Sequence, residues 1–179
     1  HSVGVGHLDV KPANVILRDE QTAVLVDFGL SGRHLRPGCG TLEYCAPEVL
    51  GVLQDGYSSS PAATDVYSFA CLAFEALTTK FLFDGRDEAA VIAQHIEHDG
   101  WPRRLSEFAR TDGCRELAML LARCLRRDPK IRPSAREVRR ALALPAHDLD
   151  AREWPLPMRR RDQPSPTSEM PVPLVAARR

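Results

Sequence analysis

The sequence has no long apolar run: nothing in its 179 residues approaches the roughly 18–20 needed to cross a bilayer as a helix. It also lacks net charge, with 24 Lys and Arg against 24 Asp and Glu. That balance gives no global attraction to nucleic acid or to an anionic membrane surface, so neither is an expected partner. The start, His1-Ser2-Val3-Gly4-Val5-Gly6, lacks an initiator Met and the basic-then-apolar layout of a signal peptide, and it looks like the middle of a longer chain. The five cysteines, at 39, 45, 71, 114 and 124, include no C-x-x-C pair and are odd in number. This argues against a zinc site and a disulfide framework and for a reducing, intracellular setting. Lysine is scarce, with only Lys11, Lys80 and Lys130, so nearly every basic residue is Arg. We read that bias as a GC-rich coding sequence rather than as a set of chosen guanidinium contacts.

What is present is ordinary globular composition, 44% hydrophobic and 27% charged, at a length that suits one domain. Up to about Leu144, apolar segments alternate with short polar breaks. Residues 145–179 then hold seven of the 14 prolines and the run Arg159-Arg160-Arg161. Such proline density opposes a long helix or central strand, so this segment is expected to be a disordered or loosely docked tail. Asn14–Leu17 and Ala23–Val26 are β-prone runs, and Arg18–Thr22 between them reads as a hairpin turn. Asp65–Leu77 is apolar nearly all round, the mark of a helix buried in a domain centre. Further helices are expected over Asp87–His98 and Cys114–Arg126, the latter with Leu117, Leu120, Leu121, Cys124 and Leu125 in helical spacing. A last one starts at Ser134, whose partner Glu137 makes a capping box. Trp101-Pro102 reads as a packing anchor between helices.

The chemistry concentrates in His7-Leu8-Asp9-Val10-Lys11-Pro12-Ala13-Asn14 and Asp27-Phe28-Gly29. Asp9 and Asn14 bracket a proline-containing loop that leads into the first strand, and Asp27 follows the second, so a tight hairpin returns it to the same place. Carboxylate and amide oxygens suit Mg²⁺, a hard cation that keeps substrate phosphates in its shell. A lysine beside them neutralises charge on a transferring phosphoryl group. A second aspartate held off the metal positions or deprotonates an attacking hydroxyl. The arrangement reads as phosphoryl transfer.

These residues resemble the eukaryotic-type protein kinase superfamily, serine/threonine type. His7-x-Asp9-x-Lys11-Pro12-x-Asn14 is similar to its catalytic loop and Asp27-Phe28-Gly29 to its metal-binding turn. Gly40-Thr41-x-x-Tyr44-x-Ala46-Pro47-Glu48 resembles the end of the activation segment, Asp65-Val66-Tyr67-Ser68 the start of the central helix, and Arg126-Arg127-Asp128-Pro129-x-x-Arg132-Pro133-Ser134 the motif before the last helix. The resemblance covers about residues 7–144. It implies an α+β kinase-like fold, here the mainly helical C-terminal lobe with a small hairpin, and a tail from 145 to 179. It implies ATP and Mg²⁺ as cofactors and protein Ser or Thr hydroxyls as substrates. Asp9 would be the catalytic base, Lys11 a γ-phosphate contact, Asn14 and Asp27 metal ligands, and Thr41 part of the substrate-docking loop. His7 and Asp65 would be scaffolding, and Glu48 and Arg132 a buried ion pair. Losing one partner of such a pair costs about 3–5 kcal/mol. Cys39 and Cys45 flank the docking loop and read as ordinary small residues.

The departures are informative. Leu8 stands where the family most often has an arginine that pairs with a phosphorylated activation-loop residue. The segment from 30 to 45 is also short, and both features imply an activation segment that needs no phosphate of its own. Only six residues precede His7, so the Gly-rich loop, the strand lysine and the helix leading into the catalytic loop are not in this sequence. The expectation is a C-terminal lobe that is inactive alone. Two rival readings are a pseudokinase-type binding module and a small-molecule phosphotransferase of the aminoglycoside-kinase type. The first usually loses Asp9, Asn14 or Asp27, all present here, and the second lacks a docking segment like 40–48. The arginine bias fits a high-GC bacterium or a herpesvirus, whose conserved protein kinases have a similar catalytic loop. The location would be cytoplasmic for the first and host nucleus or cytoplasm for the second.

Overall fold

A computed structural model describes residues 1–19, 22–51, 60–149 and 155–156, with the backbone alone for 144–149. Among them a two-stranded hairpin precedes a body of five helices. Strand β1, Val15–Asp19, pairs antiparallel with β2, Thr22–Leu25, Val15 opposite Leu25 and Ile16 opposite Val24. The hairpin lies where the β-prone runs place it, but β1 extends into the polar stretch as far as Asp19, with the register slipping after Leu17. The expected turn residues Glu20 and Gln21 lie outside the described residues. The amide of Val26 donates to the carbonyl of Asn14 at 2.9 Å, which carries the pairing beyond the strands. It therefore holds the segment before β1 beside the segment after β2.

Helix α1, Pro61–Thr78, is the axis of the body. Pro61 suits the first helical position, where no N–H is needed, and the Ser60 hydroxyl accepts from the amide of Ala63. Val66, Tyr67, Ala70, Cys71, Phe74 and Leu77 are buried, so the helix has core contacts on most of its surface. Around it stand α2 (Glu88–Glu97), α3 (Arg103–Phe108), α4 (Arg115–Cys124) and α5 (Ala135–Leu149). Asp87 caps α2 by accepting from Ala90 N at 2.8 Å. At the start of α5, Glu137 Oε2 accepts from Ser134 N at 2.7 Å while Ser134 Oγ accepts from Glu137 N at 3.3 Å. The capping box is thus closed in both directions.

Three expectations need correction. Helix α3 has no counterpart in the sequence reading, because six residues give periodicity too little length to register. Trp101, expected as a packing anchor, is 46% exposed, and the buried groups there are Pro102, Leu105 and Phe108. The boundary at 144 falls inside α5, which runs through Pro145 to Leu149. Beyond it Leu156 is only 4% exposed, and its amide donates to Leu77 O at 2.9 Å. Part of the expected tail therefore completes the core. The rest of it, including the Arg159–Arg161 run, lies outside the described residues.

One polar cluster is sealed inside the body. The Tyr67 hydroxyl bridges His95 Nδ1 at 2.8 Å and His98 Nε2 at 3.3 Å, and Phe83 packs on both imidazoles. Burial, with His98 beside it, pushes the His95 imidazole down to about 3. Burial and the Arg127 charge push His98 down to about 4. The unfolded chain takes up both protons below about pH 6.5, whereas the folded one stays neutral. Stability is therefore full above that pH and falls as the pH is lowered towards the folded values, by about 1.4 kcal/mol per histidine per pH unit. Urea unfolding between about pH 7 and 5 should show this loss, with a shallower slope in His95→Gln. Equal slopes in the two proteins would contradict it.

Candidate active site

The site begins with a buried carboxylate at the start of α1. Asp65 Oδ2 accepts from His7 N and Asp65 Oδ1 from Leu8 N, both at 2.7 Å. His1 Nε2 adds a contact to Asp65 Oδ2 at 2.7 Å. Burial raises the Asp65 carboxyl while the Leu8 and His7 amides draw it down. These bonds hold Leu8 in the left-handed region at φ 66°. A bulky residue rarely adopts that conformation, and the cost is on the order of 1–3 kcal/mol. The bend carries the chain on to Asp9, whose side chain is half-buried among Lys11, Asn14 and Thr41. Gly6, just before it, exchanges two backbone hydrogen bonds with Gly32 at 3.0 and 3.1 Å. A Cβ at Gly6 would lie 2.6 Å from that of Pro61, so only glycine fits between the helix start and this bridge.

His7 is buried, and its Nε2 contacts Val26 O at 2.9 Å. It also meets the Phe28 ring edge-on, centroids 4.9 Å apart. This is a bracing position between the catalytic-type loop and the Asp27 turn. Asp27 sits at φ 60° and is exposed; its Oδ1 accepts from Gly29 N at 3.2 Å. Because Val26 N is tied to Asn14 O, the hairpin brings Asn14 and Asp27 to one end.

Around Asp9 the groups converge. Lys11 Nζ lies 2.8 Å from Asp9 Oδ2 and donates to Thr41 Oγ1 at 2.8 Å. The Thr41 hydroxyl in turn donates to Asp9 Oδ1 at 3.1 Å. Asn14 Nδ2 donates to Asp9 O at 2.8 Å and to Asp9 Oδ2 at 3.1 Å, and among the described residues its Oδ1 has no hydrogen-bond partner. Partial burial works against ionisation of Asp9, but the Lys11 ammonium and the Thr41 and Asn14 hydrogen bonds outweigh it and hold the carboxyl below its usual value. Asp9 is a carboxylate at neutral pH, an acceptor without a proton of its own. Hard oxygens of Asn14 and Asp27 and an ammonium at Lys11 suit a Mg²⁺–phosphate ligand, the metal taking its remaining ligands from phosphate and water. Among the described residues no group of three or more His, Cys, Asp or Glu forms a metal cluster of its own.

The docking segment is pinned from the other side. Arg132 grips Glu48 in a two-pronged ion pair, Nη1 to Oε1 at 2.6 Å and Nη2 to Oε2 at 2.8 Å. Thr64 Oγ1 donates to Glu48 Oε1 at 3.0 Å, and the Arg132 guanidinium lies over the Tyr67 ring, 4.9 Å from its centre. The remaining Arg132 donors meet the carbonyls of Ala63, Arg126 and Arg127. A buried pair satisfied this fully is the kind whose one-sided loss is costly. Sequence reading missed two further ties: Tyr44 OH donates to Glu75, and Ser68 Oγ donates to Tyr44 O at 2.7 Å. No local pattern announces them. Burial pushes the Cys45 thiol up to about 12, which leaves it an inert small residue.

Residues 1–142 match the protein kinase domain family. The chain belongs to that family. Among curated proteins it is similar to serine/threonine-protein kinase PkaA of Streptomyces coelicolor, 34% identical over 159 residues, 83% of this chain and 27% of that protein. It is also similar to ribosomal protein S6 kinase alpha-2 of Homo sapiens and ribosomal protein S6 kinase 2 alpha of Xenopus laevis. Each is 36% identical over 118 residues, 62% of this chain and 15% of the relative. The chain thus spans about a quarter of PkaA and less of the others. Within this domain Lys11, Asn14 and Thr41 meet around Asp9, and Asp27 lies at the end of the hairpin beside Asn14.

The same geometry shows how the activation segment is held. Leu8 faces Leu30, Leu35 and Val49 across a small cavity, so an apolar seam stands where the family more often has an arginine. All three hydroxyls of residues 30–45 are engaged: Ser31 on His7 O, Thr41 on Asp9 and Tyr44 on Glu75. Phosphatase treatment of the full-length kinase should therefore leave its rate unchanged, checked with a peptide assay and mass spectrometry of this segment. An enzyme silent until Ser31 or Thr41 is phosphorylated would contradict that.

Proposed function

We propose that this chain is the C-terminal lobe of a serine/threonine protein kinase that transfers the γ-phosphate of ATP to protein Ser or Thr hydroxyls. The observation that carries the proposal is the Asp9–Lys11–Thr41–Asn14 network. It supplies an ionised acceptor for the substrate hydroxyl, a cation at hydrogen-bond distance and a docking-loop threonine that fixes both. In this reading Asp9 orients the attacking hydroxyl and takes its proton as the oxygen attacks. Lys11 neutralises charge on the phosphoryl group being transferred. Asn14 and Asp27 would hold Mg²⁺, which would supply positive charge against the phosphates. Thr41 exchanges its bond to Asp9 for contact with the substrate main chain, and the Glu48–Arg132 pair keeps the docking segment in register with α1.

Apolar surface supports the fragment part of the proposal. Leu17 is 76% exposed and Phe28 62%, and Val3, Ile16 and Val24 are exposed as well. A groove of about 430 Å³, lined by Val10, Leu25, Val66, Phe69, Val138 and Leu142, opens next to His1. Exposed apolar patches of this kind mark surfaces made to be covered. We assign the first to an ATP-binding N-terminal lobe and the groove to the segment that leads into His1. Similarity to PkaA and to the S6 kinases supports the serine/threonine assignment, and Lys11-Pro12 and Thr41 are the serine/threonine form of the motifs they resemble. No helix among the described residues is long and apolar enough to cross a membrane.

The test is transfer of labelled γ-phosphate from ATP to a protein or peptide by the full-length protein. Full-length enzyme should phosphorylate Ser or Thr, Asp9→Asn should lower kcat by about 10²–10⁴ with the fold intact, and the 179 residues alone should not transfer phosphate. Undiminished kcat in Asp9→Asn, or transfer by the short chain alone, would overturn the proposal.

A further inference from the structure

The kinase reading leaves the choice of substrate open, and one surface next to Asp9 bears on it. Between Asp27 and Glu43 the sequence has no carboxylate, and its ionisable side chains apart from Cys39 are Arg33, His34 and Arg36. All three are exposed. Among the described residues neither arginine has a hydrogen-bond or ion-pair partner. Several arginines of the body do have one: Arg103 pairs with Glu107, Arg104 with Asp84, Arg126 with Asp99 and Arg132 with Glu48. In a chain with 24 charges of each sign, an unpaired cationic stretch is a local departure from neutrality.

Its position ties it to the substrate side. Cys39 N donates to Arg36 O at 3.1 Å and Gly38 N to Val49 O at 2.9 Å, so the basic stretch turns directly into Gly40 and Thr41. Gly40 has φ 118°, which makes that turn possible without a side chain in the way. Arg36 and Leu8 line one small cavity, and Leu8 lines the next with Asp9 and Thr41. Arg36 thus stands one cavity away from Asp9, and Arg33 directly follows Gly32, whose backbone is bridged to Gly6 just before the Asp9 loop. The carboxylates that flank this stretch in sequence are Asp27 at the hairpin end and Glu43, half-buried beyond Thr41, while Asp9 is already matched by Lys11.

We propose, resting on the kinase reading, that Arg33 and Arg36 are specificity-determining residues that select protein substrates carrying anionic side chains near the acceptor hydroxyl. Guanidinium forks bind carboxylate and phosphate alike, so the anion is either Asp and Glu or a phosphorylated residue. Exposed charge contacts are individually weak, and two together give roughly a three- to tenfold preference that fades with added salt.

The experiment compares kcat/KM of the full-length enzyme on three peptides with one acceptor Ser and neutral, Asp/Glu or phosphoserine flanks, at low and high salt. Both anionic peptides should exceed the neutral one at low salt, and the larger of the two identifies the natural anion. Arg33→Glu/Arg36→Glu should reverse the order in favour of a Lys-flanked peptide, a gain that misfolding cannot produce. Equal kcat/KM for neutral and anionic peptides, or an anionic preference that survives the double reversal, would overturn the inference and leave the kinase reading standing. Failure to phosphorylate any peptide would overturn both.

Discussion

Asp65 is the point on which the site turns. Its carboxylate, buried at the second turn of α1, binds the successive amides of His7 and Leu8 from 58 and 57 residues away in sequence. Those two bonds offset the strain of a left-handed leucine and carry the chain on to the next residue, Asp9. Without them nothing local favours this bend, because Leu8 is neither glycine nor asparagine. The anchor also explains why α1 is so apolar around Asp65: a helix surrounded by core cannot shift, and a carboxylate on it becomes a fixed reference for the loop.

From that reference the rest of the machinery is placed in two steps. His7 reaches across to Val26, so the anchored loop and the end of the hairpin move as one, and Asn14 and Asp27 come with them. Thr41 and Lys11 then join the loop to the docking segment, and Glu48–Arg132 joins that segment back to the helical body. The result is a closed circuit from α1 through the loop, the docking segment and the turn before α5. Within it, the seam around Leu8 and the engaged hydroxyls of Ser31, Thr41 and Tyr44 tie residues 30–45 to the body.

Much of this was legible in the sequence, for a physical reason. Catalytic loops use few residue types at short fixed spacings, so Asp9, Lys11, Asn14 and Asp27 read as one oxygen-and-ammonium set before any folding is known. Helix ends were legible where side chains cap backbone, as at Asp87 and at Ser134 with Glu137. What escaped was non-local or too short. The Tyr44–Glu75 and Ser68–Tyr44 bonds join residues 31 and 24 apart and carry no local signal. Trp101-Pro102 looked like an anchor because large aromatics usually are buried, yet only Pro102 is buried and Trp101 is 46% exposed. Proline misled at 145, where α5 continues, and composition could not reveal that Leu156 would seal the core beside Leu77.

The most direct test of the central claim is residue-resolved hydrogen exchange at the His7 and Leu8 amides, in the wild-type kinase and in Asp65→Ala. The account predicts strong protection of both in the wild type and its loss in the variant, while the amides of α1 beyond its first turn stay protected. Exchange at those two amides that is already fast in the wild type, or that does not change when the carboxylate is removed, would contradict it.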